Sequence, residues 1–258
     1  MPDVVANGVR LHVQRLASPG LREDAPVVVF LHGLVMDNLS SFYYTLANPV
    51  AAAGADVVLY DLRGHGLSDR PRTGYAVSDS VADLTALLDE LDLTDRPLHL
   101  VGNSYGGTVS LAFATANPER VASLVLIEAH FAIEGWGEQM AGTLTEIAFG
   151  LKDGDARKWR DQHGRKLGRM AANANDLINN TTMVDDLLAV KPLPADGVAA
   201  ITCPVRAVYG ELSDVLHHAE ALRALLPDFT LTIQPNTSHS VLMEATPQLR
   251  AMITGWLT

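Results

Sequence analysis

The stretch of this chain that decides its fold is Leu98-His99-Leu100-Val101-Gly102-Asn103-Ser104-Tyr105-Gly106-Gly107. It begins as an apolar strand, and a helical pattern follows Ser104 until Pro118 stops it. Between the two lies a Gly-x-Ser-x-Gly pattern, whose small residues let a strand and a helix pass close to a tight turn. Such a turn lifts the serine hydroxyl clear of the sheet, at the positive end of the following helix. We therefore predict that Ser104 is a nucleophile.

Short apolar runs like the one before Ser104 recur along the chain and predict parallel strands covered on both faces. They lie at residues 27–31, 57–60, 98–101, 124–127, 205–209 and 229–233, and a half-exposed strand is predicted at 9–13. Amphipathic helical patterns alternate with them, at residues 77–91, 104–117, 215–226 and 247–256. Strand–helix alternation of this kind predicts the α/β fold class, with a mostly parallel central sheet and helices on both faces.

Residues 131–198 break this alternation. They lack a strand-like apolar run and are rich in Gly, Asn and charged residues. A disordered linker is one interpretation, but the aromatic residues and the periodic Leu144, Ile147, Ala148 and Leu151 favour a mostly helical insertion. We therefore predict one core made of residues 1–130 and 199–258, with an insertion at 131–198.

Composition narrows the possible partners and the compartment. The chain has 258 residues and a formal net charge of −11, which disfavours nucleic acid and anionic membranes as partners. The one cysteine, Cys203, rules out an intrachain disulfide and is expected to be a buried, unreactive thiol. Residues 1–10 lack the apolar stretch of a signal peptide, and no apolar run reaches 18 residues, so we expect a cytoplasmic protein.

A serine hydroxyl needs a neighbouring base, and position selects His239 among the nine histidines. It follows the last predicted strand in a polar loop, at the sheet edge where parallel α/β folds collect their chemistry. His12 and His99 lie within strand patterns. The adjacent His217 and His218 are expected to point in different directions from their helix, which suits neither one metal nor one substrate atom.

The acid that orients the base is expected after a strand between the nucleophile and the base. Asp214, in Gly210-Glu211-Leu212-Ser213-Asp214, meets that requirement, although an aspartate at this place also suits a helix N-cap. Glu128, directly after the run at 124–127, is the alternative acid or else a substrate contact.

Two backbone N–H groups are needed to stabilise a tetrahedral oxyanion. We assign one to Tyr105, the residue after the nucleophile. The other is assigned to Leu34, in the loop after the strand at 27–31, because Gly33 lets the next amide turn toward the site. The same loop supplies Asp37 and Asn38 as candidate substrate contacts, while His32 is expected to have a structural role.

Together these residues resemble the α/β-hydrolase superfamily over almost the whole chain. The matching motifs, in the family's order, are Leu31-His32-Gly33, residues 61–68, Gly102 to Gly107, Gly210 to Asp214, and Ser238-His239 followed by Glu244 and Pro247. The resemblance implies that residues 61–68 are a structural turn beside the site and that Glu244 supports the His239 loop.

The resemblance also implies that residues 131–198 form a helical cap over the substrate pocket, with Trp136, Phe149, Trp159 and Met170 as candidate contacts. One feature departs from the family pattern, and another differs between branches of the family. The acid loop is Gly-x-x-x-Asp, one residue longer than the common spacing, which keeps Glu128 as an alternative. Ser240 stands where relatives that cleave carbon–carbon bonds often have Trp, although Asn103 is similar to those relatives.

The combined prediction is a serine hydrolase that acts on a small-molecule ester, thioester or activated ketone. We expect no cofactor and no metal, since neither a phosphate loop nor ligand spacing for a metal is present. The chain is expected to be a monomer or homodimer. Two alternatives remain: a cofactor-free lyase or retro-aldol enzyme on the same scaffold, and a ligand-binding protein with little turnover.

Overall fold

The computed structural model describes residues 3–20, 24–153 and 156–257, and the side chains of 149–153, 156–167 and 257 lie outside this description. Its strands are β1 (Val4–Ala6), β2 (Val9–Leu11), β3 (Val13–Leu16), β4 (Val27–Leu31), β5 (Asp56–Tyr60), β6 (Leu98–Asn103), β7 (Val121–Ile127), β8 (Val205–Gly210) and β9 (Phe229–Gln234). Within the described ranges, β1 and β2 pair as a hairpin, and the other seven form one sheet in the order β3-β5-β4-β6-β7-β8-β9. All neighbours in this sheet are parallel except β3 and β5. The α/β fold class is confirmed.

Helices follow most of these strands. They are α1 (Ser40–Phe42), α2 (Asn48–Ala52), α3 (Val77–Glu90), α4 (Tyr105–Ala116), α5 (Trp136–Asp153), α6 (Ala156–Asn180), α7 (Met183–Leu188), α8 (Ala195–Ala199), α9 (Leu216–Arg223), α10 (Val241–Glu244) and α11 (Thr246–Leu257). A π-helical turn at Tyr43–Ala47 joins α1 to α2, and a 3₁₀ turn at Pro118–Arg120 follows α4. Among the described helices, none combines the length and apolarity needed to cross a membrane.

The central strands are buried on both faces, as their continuous apolar runs predict. In β4, Val27, Val29 and Leu31 pack with α3 and α4, whereas Val28 and Phe30 pack with residues of α1, α2 and α11. Successive side chains of a strand point to opposite faces, so one short run contributes to two cores. The continuous apolar run of β4 therefore fits a strand that is covered on both faces.

Strand register brings three chain segments to one edge of the sheet. Asn103 at the end of β6 lies opposite Ile127 of β7, and Ile127 lies opposite Val208 of β8. The residues that follow these strands therefore emerge side by side at the carboxyl edge, where open α/β sheets bind ligands. The site described below is built at this edge.

Two elements differ from the sequence prediction. Strand β9 is not covered on both faces: it is the edge strand, and Ile233 is exposed, because β9 has one neighbouring strand. The helical segment from Ser40 to Ala52 was not predicted. Its sequence, with two serines, a threonine and an Asn-Pro pair, lacks a regular helical pattern, but Pro49 occupies the first turn of α2, where a proline is tolerated.

The segment between β7 and β8 is helical in its described parts, with α5, α6, α7 and α8. Hydrogen bonds join it to the loop before α3: Thr182 N–H donates to Arg72 O at 2.9 Å, and Tyr75 N–H donates to Asp186 at 2.8 Å. Cys203, near the end of this segment, is half-buried, and burial raises its thiol pKa to about 11, which disfavours the reactive thiolate.

Candidate active site

Ser104 lies in a strained turn between β6 and α4. Its φ of 50° and ψ of −117° are unfavourable for a residue with a side chain. Its amide donates to Ile127 O at 2.8 Å, and its own carbonyl accepts from Gly107 N at 2.9 Å, so both sides of the turn are fixed. A Cβ at Gly102 would lie 2.5 Å from Gly106 O, so strand and helix can approach this closely because residue 102 has no side chain.

His239 lies within hydrogen-bonding distance of the serine. Its Nε2 is 3.2 Å from Ser104 Oγ, and its side chain is 38% exposed. The loop before it is held by Glu244, which accepts from both the amide and the hydroxyl of Ser238 at 3.4 Å. This supports the predicted structural role of Glu244. The serine and its expected base, 135 residues apart in sequence, are therefore neighbours.

The carboxylate on the far side of His239 belongs to Glu128. Its Oε2 is 2.9 Å from His239 Nδ1 and also accepts from Ser213 Oγ, while Oε1 accepts from Gly210 N–H at 2.5 Å. Glu128 is 0% exposed and has a φ of 51°, a strained backbone at the end of β7. Among the described residues, every hydrogen bond that the carboxylate makes is with a group that can donate, which compensates for the burial of its oxygens.

The prediction that Asp214 orients the base is therefore corrected. Asp214 is exposed, and its carbonyl accepts from His217 Nδ1 at 3.0 Å in the turn before α9. The common spacing of the acid loop counts three residues from Gly210 and reaches Ser213, whose hydroxyl bonds Glu128. The alternative role of Glu128, as a substrate contact, stays a prediction, although its side chain is fully buried. The one-residue departure in spacing was the sequence signal for this exchange.

In the loop after β4, the amides on each side of Leu34 are engaged in hydrogen bonds. Gly33 N–H donates to Asp37 Oδ2 and Val35 N–H donates to His65 Nε2, both at 2.7 Å. Within the described residues, no acceptor is bonded to the amide of Leu34 between them. Val35 has a φ of 66°, which is rare for a β-branched residue and marks a strained loop.

Tyr105, the other predicted oxyanion donor, is the first residue of α4. The first amides of a helix have no intrahelical acceptor, so its N–H is available at the positive end of the helix dipole. The side chain points elsewhere, because its hydroxyl lies 3.0 Å from Ser80 Oγ in the core. The assignment of Tyr105 and Leu34 as oxyanion donors stays a prediction.

A match to a family model decides the classification of the chain. The model describes the alpha/beta hydrolase fold and matches residues 26–246. The chain belongs to the α/β-hydrolase family. Ser104, Glu128 and His239 all lie within the matched residues, and the mostly parallel sheet with flanking helices is the architecture of that family.

This α/β hydrolase is similar to several curated proteins. It is 34% identical over 129 residues to the AB hydrolase superfamily protein YfhM of Bacillus subtilis, a match that covers 48% of this chain and 41% of that protein. The chain thus matches less than half the length of that relative. It is 26% identical over 248 residues to the 2-(acetamidomethylene)succinate hydrolase of Mesorhizobium japonicum, covering 88% of this chain and 85% of that one.

The fold is also that of a solved enzyme. Est816, described as an N-acyl homoserine lactone degrading enzyme, superposes with a TM-score of 0.75, covering 99% of this chain and 100% of that chain. The sequence identity is 24%, so this likeness shows the fold alone.

The other motifs of the α/β hydrolase have structural roles, as the sequence predicts. His32 Nδ1 is bonded to Gly33 O at 2.6 Å, and its Nε2 accepts from Leu62 N at 3.0 Å. Asp61 accepts from the amides of Leu39 and Leu67, both at 2.8 Å, which joins the loop of residues 61–68 to the loop after β4. These bonds hold the Leu34 loop and do not reach the serine.

The structure describes the side chains of some candidate substrate contacts and not of others. Asp37 is occupied by its own loop, since Oδ1 accepts from Asn38 N–H at 2.8 Å and from Ser41 Oγ. The side chain of Asn38 accepts from Ser40 N–H at 3.0 Å at the start of α1. Trp136 is buried and Met170 is half-buried. The side chains of Phe149 and Trp159 lie outside the described residues.

Two histidine features were not foreseen. The rings of His217 and His218 do not point apart but lie 4.1 Å from each other. His130, which the sequence analysis did not consider, has its ring 5.5 Å from that of His239 and 5.5 Å from that of His218. The available signal was its place two residues after Glu128, at the carboxyl end of β7.

Proposed function

We propose that this α/β hydrolase is a serine hydrolase of small-molecule esters, thioesters or lactones, with Ser104, His239 and Glu128 as its triad. The observation that carries the proposal is the line of contacts from Ser104 Oγ to His239 Nε2, 3.2 Å, and from His239 Nδ1 to Glu128 Oε2, 2.9 Å. Nucleophile, base and acid in this arrangement define a catalytic triad whatever the order of the residues in sequence.

In the first half of the reaction, Ser104 Oγ attacks the substrate carbonyl carbon while its proton passes to His239 Nε2. Glu128 holds the Nδ1–H tautomer and stabilises the imidazolium that forms. The amides of Leu34 and Tyr105 donate to the oxyanion. The C–O bond to the leaving group then breaks, and His239 returns the proton to the leaving alcohol.

In the second half, water hydrolyses the acyl-enzyme. His239 takes a proton from the water as its oxygen attacks the acyl carbon. Collapse of the second tetrahedral intermediate releases the acid, and Ser104 Oγ recovers the proton from His239.

The substrate class is inferred from the names of the relatives, together with the position of the triad at the carboxyl edge of the sheet. One relative is named as a hydrolase of an acylated succinate derivative, and a structural neighbour degrades a lactone. Both names describe small molecules that contain an acyl group. We extend this class to the present chain, with residues 131–198 as a cap over the pocket and residues 1–130 and 199–258 as the catalytic core.

A fluorophosphonate probe tests the proposal directly. We expect one stoichiometric adduct on Ser104, mapped by peptide sequencing, and turnover of p-nitrophenyl esters by the unlabelled protein. Ser104→Ala should lose both, whereas the matched control Ser78→Ala, at an exposed serine of α3, should keep both. A folded protein with no adduct and no ester turnover would contradict the proposal and favour the lyase or ligand-binding alternatives.

A further inference from the structure

The carboxylate of Glu128 is held by the loop after β8 as well as by His239. Its Oε1 accepts from Gly210 N–H at 2.5 Å, and its Oε2 accepts from Ser213 Oγ. The backbone is attached to the same side, because Glu128 N–H donates to Val208 O at 2.9 Å. The end of β8 and the loop after it therefore hold the backbone and both carboxylate oxygens of Glu128.

Ser213 is itself held in a hydrogen-bonded turn. Its N–H donates to Gly210 O at 3.2 Å, and its carbonyl accepts from Leu216 N–H at 3.3 Å. Its hydroxyl oxygen accepts from Val215 N–H, also at 3.3 Å. A serine hydroxyl has one hydrogen to donate and can accept as well. The bond from Val215 occupies an acceptor site of the hydroxyl, and the hydrogen is donated to Glu128.

The bond from Ser213 fixes a torsion that a glutamate side chain leaves loose. The last torsion of a glutamate turns the plane of its carboxylate, and its preferences are broad and roughly two-fold. The bond from Gly210 holds one oxygen and does not by itself fix that plane. With Ser213 holding the other oxygen, the plane is set, and Oε2 stays 2.9 Å from His239 Nδ1. Each carboxylate oxygen has two lone pairs, so Oε2 can accept from both groups at once.

We propose that Ser213 is a positioning residue of the triad, whose hydroxyl orients Oε2 of Glu128 toward Nδ1 of His239. Its place in the chain fits this role. Three residues after Gly210, where the common spacing puts the acid, this chain has the group that orients an acid from the neighbouring strand. The inference rests on the proposed function, because the orientation of Glu128 affects a rate only if His239 acts as the base.

Removal of the hydroxyl tests the role by kinetics. In Ser213→Ala we expect kcat for p-nitrophenyl butyrate to fall on the order of 10-fold, the effect of one hydrogen bond to a charged group. The imidazolium forms only during the reaction, so KM should change less than about 2-fold. Ser213→Thr keeps a hydroxyl at this position, and its kcat should stay within about 3-fold of the wild type.

Ser123→Ala is the matched control. Ser123 is buried and its hydroxyl lies 2.6 Å from His99 Nδ1, but it lies near the amino end of β7, away from Glu128. This variant also loses a bond between a serine hydroxyl and its partner, so its denaturation midpoint can fall while kcat stays unchanged. Wild-type kcat in Ser213→Ala, or a loss in Ser213→Thr as large as that in Ser213→Ala, would overturn the proposal.

A measurement without turnover separates failure of this role from failure of the proposed function. The Nδ1 proton of His239, bonded to a carboxylate, gives a far-downfield proton resonance, assigned by its loss in His239→Gln. In Ser213→Ala we expect this resonance to shift upfield or to vanish through exchange with water, and in Ser123→Ala to stay in place. An unchanged resonance in Ser213→Ala would overturn the positioning role even if the wild type cleaves esters. A shift in a protein that cleaves no ester would overturn only the hydrolase proposal.

Discussion

Glu128, Ser104 and Val35 are three of the six non-glycine residues with positive φ in the described structure, at 51°, 50° and 66°. Glu128 carries the carboxylate that contacts His239, Ser104 is the proposed nucleophile, and Val35 follows Leu34. Backbone strain of this kind costs about 1–3 kcal/mol per residue and persists where the surroundings fix the conformation. The strained residues here carry or adjoin groups of the proposed triad and of the proposed oxyanion site.

Gly106 tests how closely packed the nucleophile turn is. A Cβ at this position would overlap the carbonyl oxygen of Leu31, which is backbone and cannot move aside. Gly106→Ala should therefore lower the free energy of unfolding by about 3 kcal/mol, measured by urea denaturation. Gly142→Ala is the matched control, since a Cβ there, on α5, meets nothing within 4 Å. It should be neutral or stabilise by up to about 1 kcal/mol. Equal effects at the two positions would contradict this packing.

Sequence reasoning found Ser104 and His239 because each is marked by a local signal, a Gly-x-Ser-x-Gly turn and a polar loop after the last strand. Asp214 was preferred to Glu128 because the acid was expected in the loop after β8, where the family's acid motif lies. The deciding fact, that β7 and β8 end side by side and that Ser213 bonds Glu128, depends on strand register. His130 was missed because its importance comes from neighbours distant in sequence.

At the scale of elements, one buried ion pair joins the loop after β5 to α3. Arg63 and Asp83 form a two-bonded pair, with side chains 7% and 2% exposed. Arg63 also donates to Gly74 O, and Asp83 accepts from Asn7 at 2.9 Å. The pair therefore fixes the loop whose His65 and Asp61 bond amides of the loop after β4.

Removal of one partner should be costly. Arg63→Leu leaves Asp83 buried without its cation, so we expect a loss of about 3–5 kcal/mol in the free energy of unfolding. Arg223→Leu breaks an exposed pair with Glu220 on α9 and should cost less than about 1 kcal/mol. Chemical denaturation of both variants checks the difference. Similar losses would show that the buried pair does not hold this loop.

The elements themselves could be predicted where burial is uniform. The strands at β4 and β8 and the helices α3 and α4 follow from apolar runs and from three-to-four spacing. Strand β9 was read as covered although it is the sheet edge, because Phe229-Thr230-Leu231-Thr232-Ile233 has high strand propensity in either place. The position of a strand in the sheet is a property of topology that its own residues do not encode.

At the scale of the whole molecule, buried neutral histidines couple stability to pH. Burial lowers the pKa of His65 and His130 to about 3 and that of His218 to about 4. In the unfolded chain they take up protons below about pH 6.5. The unfolded state thus binds more protons between these values, so the free energy of unfolding falls as pH falls from about 6.5 toward 4.

The variant His218→Phe isolates one contribution to this slope. It should flatten the decline by up to about 1.4 kcal/mol per pH unit below pH 6. Urea midpoints at pH 7.5, 6.5, 5.5 and 4.5 give both slopes. Parallel curves for the wild type and His218→Phe would contradict a neutral buried His218.

The identity of the acid tests the central claim, a triad of Ser104, His239 and Glu128, most directly. The measurement is kcat/KM for p-nitrophenyl butyrate with the matched pair Glu128→Gln and Asp214→Asn, each checked for folding by its denaturation midpoint. We predict a loss of about 10³–10⁴ for Glu128→Gln, since the neutral amide no longer stabilises the imidazolium, and a change of less than about 3-fold for Asp214→Asn. A large loss in Asp214→Asn together with near-normal turnover in Glu128→Gln would contradict the triad.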